Sequence, residues 1–303
     1  MSLLSKVTKG PIQKPILALI HGMPGVGKST FAADFPHPIF LGSEEGTNNL
    51  AVTRFPSLES FGQVLEAVRE LTTAKHDYKT LVIDSLDWLE PLVFKSVCQD
   101  ADVNSIEEAF GGYGKGYVAA LDRWRTLIAA VSELRAAKSM HVVVIAHSQV
   151  KRIDDAVENK AWDRVTLKLN EKASALWQEF CDGVLYATYQ IHTKQDDSNK
   201  QKTRAYSSGQ RVLFTEWRPT FVAKQRWGVP FELPLSADAF FAAIEAGRPE
   251  DPEVLKRQID ELLGMQKDAK LVATVRDHLA KVGTNPIALS KTLNRLQAVQ
   301  LKG

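Results

Sequence analysis

Several features are scarce in this 303-residue chain, and each scarcity excludes a class. Cysteine occurs only at Cys98 and Cys181, far apart and in no CxxC or Cys/His spacing. Neither a disulfide framework nor a zinc site is therefore written in the sequence, and both thiols are expected to be packing residues. Uninterrupted apolar runs are short, none approaching the ~18 residues that a membrane span requires. Residues 1–15, MSLLSKVTKGPIQKP, hold neither the apolar block nor the small-residue cleavage site of a secretory signal. They are expected to form a flexible N-terminal arm on a protein that stays in the cytosol. Charge of one sign is also lacking: 38 Lys/Arg against 36 Asp/Glu leave a net +2, so a polyanion could be met only by a local patch. No internal repeat or low-complexity stretch stands out.

What the chain does have is alternation. Apolar runs of strand length, ILALI (16–20), PIFLG (38–42), TLVID (80–84), HVVVIA (141–146) and GVLYATY (183–189), are separated by longer stretches. Two of these, SLESFGQVLEAVRELTTA (57–74) and YVAALDRWRTLIAAVSELRAA (117–137), repeat their apolar residues at helical spacing. The pattern predicts an α/β fold, a mainly parallel sheet covered on both faces by helices. After residue 190 the short extended pieces TRAYSS, QRVLFTEW and TFVAKQRW predict a C-proximal β-hairpin or meander extending the sheet. From about residue 236 the strands stop and helical stretches follow, punctuated by Gly247, Gly264 and Gly283, with Pro252 and Pro286 near helix starts. The expected organisation is the arm (1–15), an α/β core (16–235) and a small helical C-terminal module (236–303).

The strongest chemical signal is GMPGVGKST, Gly22, Met23, Pro24, Gly25, Val26, Gly27, Lys28, Ser29 and Thr30, between a strand-like and a helix-like stretch. It satisfies G-x-x-x-x-G-K-[ST]. The glycines let backbone N–H groups converge on phosphate oxygens, and the helix start adds its positive end. Lys28 reaches the outer phosphates, and the Ser29 hydroxyl can coordinate Mg²⁺. About 60 residues downstream TLVIDS ends a buried strand in Asp84, which would set a carboxylate beside the metal. Ser29 and Asp84 are thus the expected metal side, and ATP with Mg²⁺ the expected ligand.

Together GMPGVGKST, SEEGT, TLVIDSLDWLE, GGYGKGY, VVVIAHSQVKRIDD and VAKQRWG resemble the phage-encoded RecA-like ATPases of the Sak type over roughly residues 14–245. These are single-strand annealing or recombination factors built on a RecA core. The resemblance implies a RecA-like P-loop NTPase core and ATP-dependent binding of single-stranded DNA. It also implies a homo-oligomer, ring or filament, with nucleotide at its subunit interfaces, working beside a single-strand-binding protein in the cytoplasm of a bacterial host. Position 85 is Ser. In the AAA+ class the water-activating Glu directly follows the strand-end Asp, whereas RecA-like proteins carry it at the end of the strand after the phosphate-loop helix. Here that strand reads PIFLGSEEGTNNL, so the resemblance points to Glu44, with Glu45 in reserve, to orient and deprotonate water. His147, ending VVVIAHSQ, stands where RecA-like proteins sense the γ-phosphate, and a neutral or protonated imidazole can donate that hydrogen bond. VAKQRWG (222–228) resembles the K-x-R-x-G segment of the DnaB and RadA families, which implies that Lys224 and Arg226 reach a neighbouring subunit's nucleotide.

By the same resemblance, the loops facing DNA are FGGYGKGY (110–117) and SQVKRIDDAVENKAWDRVTLK (148–168). Each offers cations with aromatics, as sequence-tolerant binding of single strands requires: Tyr113, Lys115 and Tyr117, then Lys151, Arg152, Lys160, Trp162 and Arg164. Asp154, Asp155, Glu158 and Asp163 dilute the second set. The leading expectation is an oligomeric ATPase that binds single-stranded DNA and promotes annealing or recombination. A DnaB-like translocase or helicase-associated motor is the alternative within the motor class; an annealing protein with negligible turnover is the alternative outside it. A small-molecule kinase would share the phosphate loop, but no acceptor pocket or Arg-rich lid is legible.

Overall fold

The computed structural model describes all residues except 1–2, 8–11, 43–48, 156–159, 197–198, 249–251, 267 and 301–303. Gln13–Ala246 form one compact unit, and Met1–Ile12 with Gly247–Gly303 form a second.

The larger unit runs β1 (Leu17–Gly22), α1 (Lys28–Ala33), β2 (Pro38–Gly42), β3 (Thr53–Arg54), α2 (Phe61–Thr73), β4 (Thr80–Asp84), α3 (Leu86–Ala101), α4 (Lys115–Lys138) and β5 (His141–Asp155). It continues with β6 (Lys160–Leu167), α5 (Glu171–Phe180), β7 (Gly183–Asp196), β8 (Asn199–Phe214), β9 (Glu232–Pro234) and α6 (Ala237–Gly247). The strands lie in the order β3-β2-β4-β5-β1-β7-β8-β9, with β6 paired to β5 outside that path. From β3 to β7 every neighbouring pair is parallel; β8 and β9 add an antiparallel meander, and β6 is antiparallel to β5. This is the α/β, mainly parallel P-loop core expected from the alternation, with the C-proximal hairpin in place.

The apolar runs look continuous because both faces of the sheet are covered. Leu17, Leu19, Leu81, Ile83, Val142 and Val144 enter one core cluster with residues of α2, α3, α4 and α5. Their alternate neighbours Ala18, Ile20, Val82, Val143 and Ile145 enter the other, with Phe31 and Ala32 of α1 and Phe240 and Ile244 of α6. Helix α6, grouped with the C-terminal helices in the sequence reading, thus packs on the core sheet. The compact unit ends after Ala246.

In the second unit α7 (Pro252–Gly264), α8 (Ala269–Val282) and α9 (Pro286–Gln300) follow one another. Leu255, Ile259 and Leu263 of α7 meet Leu289, Leu293 and Leu296 of α9, residues spaced at one helical turn.

Candidate nucleotide site and its link to a basic ribbon

The parallel strands end in register. Gly22 closes β1 opposite His147 in β5, and Asp84 closes β4 opposite Gly42 in β2. The chain leaves the sheet here into the phosphate loop, at the carboxyl ends where open α/β sheets bind ligands. Gly22 is required by proximity: a Cβ there would lie 2.3 Å from the Ala187 carbonyl oxygen of β7. Gly27, which starts α1, has φ 109°, and a Cβ would meet the Arg211 guanidinium at 2.5 Å.

Helix α1 has no side-chain cap and no acid in its first turn, so its leading N–H groups face an anion without a competing carboxylate. Lys28 is 5% exposed, and its Nζ donates to the Gly22 and Met23 carbonyls at 3.1 Å each. The Ser29 hydroxyl donates to Asp84 Oδ2 at 2.7 Å. Burial pushes the Asp84 carboxyl above its ordinary range, against the lowering pull of the Ser29 hydroxyl, Lys28 and His147. A dication at this point would reverse that balance. Convergent N–H groups, an ammonium and a hydroxyl–carboxylate pair fit a nucleoside triphosphate with Mg²⁺.

His147 brings in a residue the sequence reading did not single out. Its backbone N–H donates to Asp87 Oδ1 at 2.9 Å, and its ring Nδ1 lies 2.7 Å from Asp87 Oδ2. Burial would raise the Asp87 carboxyl, yet the hydrogen bonds and charge of His147 outweigh it and hold the group below its ordinary value. An ionised carboxylate only accepts, so Nδ1 carries a hydrogen. A neutral ring then presents an acceptor at Nε2, and only the imidazolium can donate to a phosphate, which narrows the expectation. Asp87 lies in the first turn of α3, three residues after Asp84, which is the signal that could have found it.

The opposite flank of the loop holds two further residues missed in the sequence, Tyr189 and Arg211, paired across β7 and β8. The Tyr189 hydroxyl and Arg211 Nη1 donate to the Gly25 and Val26 carbonyls, each at 3.4 Å. Within β1, fully buried His21 bonds to two distant segments: Nε2 lies 2.8 Å from the Val222 carbonyl and Nδ1 2.9 Å from Ser148 Oγ. The carbonyl only accepts, so the proton sits on Nε2 and Nδ1 accepts from the Ser148 hydroxyl. Burial drives the His21 pKa down to about 4, with Lys28 adding to the fall against the Val222 bond, and the ring is neutral.

Glu44 and Glu45 lie outside the described residues; Gly42, just before them, is the register partner of Asp84. Lys224 and Arg226 are not brought to this chain's own phosphate loop. Lys224 is bridged to Val184 near the start of β7, the opposite end of the sheet, and Arg226 Nη1 lies 3.6 Å from Asp182.

Of residues 148–168, expected as a loop, Ser148–Asp155 and Lys160–Leu167 instead pair as a two-stranded antiparallel ribbon, and residues 156–159 lie outside the described residues. Its register sorts Asp154 and Asp163 away from Lys151 and Arg164, while Asp155 stays on their face, paired with Lys160. Lys151 pairs with Arg164 and Ile153 with Trp162 on one face, whereas Arg152 pairs with Asp163 and Asp154 with Ala161 on the other. Lys151, Trp162 and Arg164 therefore share a face that Asp154, Asp163 and Arg152 do not. Lys160 lies at the ribbon's far end, paired with Asp155. In the other segment Phe110, Gly111, Gly112, Tyr113 and Gly114 all have positive φ, and Tyr113 is wholly exposed. Lys115 begins α4 and is exposed, while the Tyr117 hydroxyl donates to Glu107 at 2.6 Å and its ring packs edge-on against Phe94.

A phosphate loop at the carboxyl ends of a parallel sheet, with a strand-end Asp hydrogen-bonded to the loop Ser, defines a P-loop nucleotide-binding core. The sequence model of the AAA_24 family, described as an AAA domain, matches residues 14–227, and the chain belongs to that family of P-loop ATPases. Membership leaves Ser, not Glu, after Asp84. The chain is similar to the SPbeta prophage-derived uncharacterized protein YorG of Bacillus subtilis (strain 168), 29% identical over 115 residues. That match spans 37% of this chain and about a third, 35%, of that protein. Among solved structures, the RadB recombinase aligns with a TM-score of 0.37 at 10% identity, covering 75% of this chain and 90% of that one. No helix among the described residues is long and apolar enough to cross a membrane.

Proposed function

We propose that this chain is an oligomeric, DNA-stimulated ATPase of the Sak type that binds single-stranded DNA in a bacterial host cytoplasm and promotes annealing or recombination. The observation that carries this reading is the continuity of β5, one strand that runs from His147 beside Asp87 directly into the ribbon, where Lys151 faces Arg164 and Ile153 faces Trp162.

When bound, ATP with Mg²⁺ supplies the phosphoanhydride to be cleaved. The loop N–H groups and Lys28 hold its phosphates, and Ser29 and Asp84 form the metal side. Glu44, with Glu45 as the alternative, takes the proton of the attacking water. His147, oriented by Asp87, reads the outer phosphate, and β5 passes its position to the ribbon. Lys224 and Arg226 act on a neighbouring copy's nucleotide, which makes the active site a shared one.

The test is phosphate release with and without a single-stranded oligonucleotide, with Arg226→Ala alongside. Stimulation by DNA that is lost in the variant is the expected result. Turnover indifferent to DNA would overturn the reading in favour of a metabolic or protein-directed ATPase; tight DNA binding with no turnover would replace it with a passive annealer.

A further inference from the structure

The segment after β8 closes a tight turn in which Arg218 and Phe221 exchange backbone hydrogen bonds, and it docks beside β6 through Val165 N–H to the Thr220 carbonyl and Val222 N–H to the Val165 carbonyl. At the crown of that turn one carbonyl, Pro219, accepts both Trp162 Nε1 and Arg164 Nε, each at 2.8 Å. The Arg164 guanidinium consequently lies between two indoles, 5.6 Å from the Trp162 ring centroid and 5.4 Å from that of Trp217. Trp217 is nonetheless 51% exposed.

One ring has its polar edge held by a hydrogen bond, and the other lies against the Arg164 guanidinium. The Trp162 N–H is tied to Pro219, which leaves that indole no freedom to turn its polar edge outward. Arg164 spends its Nε on the same carbonyl and, among the described residues, no acceptor takes its Nη groups. Lys151 adds a second cation on the same face of the ribbon. Such an arrangement combines apolar ring faces with cations held beside them; the one acid that alternation places on this face among the described residues, Asp155, is paired with Lys160 at the ribbon's far end, two pairs away from Lys151–Arg164. A duplex buries its base faces and cannot use the rings. An unpaired strand offers both a base to stack and a phosphate to pair.

We infer that Trp217, Arg164 and Trp162 form a stacking platform for unpaired nucleobases, in which the outer face of Trp217 takes a base and Arg164 with Lys151 takes the adjoining phosphates. This deepens the reading given under Proposed function and rests on it. It adds Trp217, from a segment outside both expected DNA loops, and it moves the principal contact away from the Tyr113 segment.

The experiment measures binding of a fluorescently labelled single-stranded oligonucleotide, and of the matching duplex, by anisotropy, with Mg²⁺ and a non-hydrolysable ATP analogue present and at one fixed salt concentration, to the full chain and to Trp217→Ala, Trp217→Phe and Tyr113→Ala. The Ala variant at 217 should lose about tenfold or more in affinity, as removal of one stacked ring does elsewhere. The Phe variant should keep most of it, and Tyr113→Ala should be affected less than Trp217→Ala. Thermal midpoints of all variants show whether the fold is intact, and retention by Trp217→Phe separates stacking from misfolding. If the unaltered chain binds no oligonucleotide, the functional reading itself fails and the platform falls with it. If the chain binds but Trp217→Ala binds as tightly, the platform is overturned while the functional reading stands. An equal loss for duplex and single strand would also overturn the stacking role.

Discussion

The two halves of β5 share a backbone and little else. From Val142 to Ala146 no residue is more than 1% exposed, and the strand ends this half at His147, held by two contacts to one carboxylate. A few residues on, Val150 is 65% exposed and the partner strand is β6 alone. The buried half fixes atoms whose placement must hold to within a hydrogen bond, whereas the exposed half, with β6, presents the Lys151–Arg164 face to which the proposal assigns single-stranded DNA. The difference teaches that one strand can serve both needs when its surroundings, rather than its own geometry, change along its length.

The largest test of that contrast is Lys28→Ala. Phosphate release should fall about 10²–10³-fold, as for removal of other preorganised charge donors, while oligonucleotide binding in the absence of nucleotide stays within about a factor of two. Equal loss of both would mean that the two halves are not separable.

Next comes pH. His21 has a folded pKa of about 4 against an ordinary 6.5, so its contribution is complete above about 6.5 and is lost as pH falls from there through about 4. Urea midpoints should record a loss of roughly 3 kcal/mol across that window, and His21→Asn should flatten it. A curve unchanged by the substitution would place the titration elsewhere.

The two carboxylates beside the buried half, Asp84 and Asp87, should then respond in opposite directions. Asp87→Ala leaves the His147 N–H groups without their acceptor and should lower stability by about 1–3 kcal/mol, whereas Asp84→Asn removes a charge that burial disfavours and should raise the thermal midpoint of the nucleotide-free protein. The Asp87 contribution is present above its ordinary 3.8 and disappears as pH falls below that. Calorimetry of both variants decides the matter, and a shift of the same sign in each would contradict the electrostatic account. The smallest effect belongs to the ribbon: Lys151→Ala should weaken oligonucleotide binding only slightly and reduce the log–log salt slope by about 1.

The strands buried on both faces were legible as apolar runs, and β1, β2, β4 and the first half of β5 fall where those runs lie. The ribbon was not, because its two faces are both polar enough to read as a loop, and only the register with β6 sorts Lys151 and Arg164 from Asp154 and Asp163. Helix α3 was hidden by Pro91 inside it, and the two-residue β3 by its length. At the phosphate site the loop and Asp84 were readable from spacing. Asp87, Tyr189 and Arg211 were not, since each acts through a contact between segments that no local pattern records.

His21 carries a consequence for the order in which the molecule is built. Its two partners stand 127 and 201 residues further along the chain. A nascent chain emerging from the ribosome exposes its phosphate loop well ahead of Val222, yet the strand leading into that loop gains this clasp only after Val222 has been synthesised. A chain halted before that valine would carry the motif without the bond that ties β1 to the segment docked beside β6.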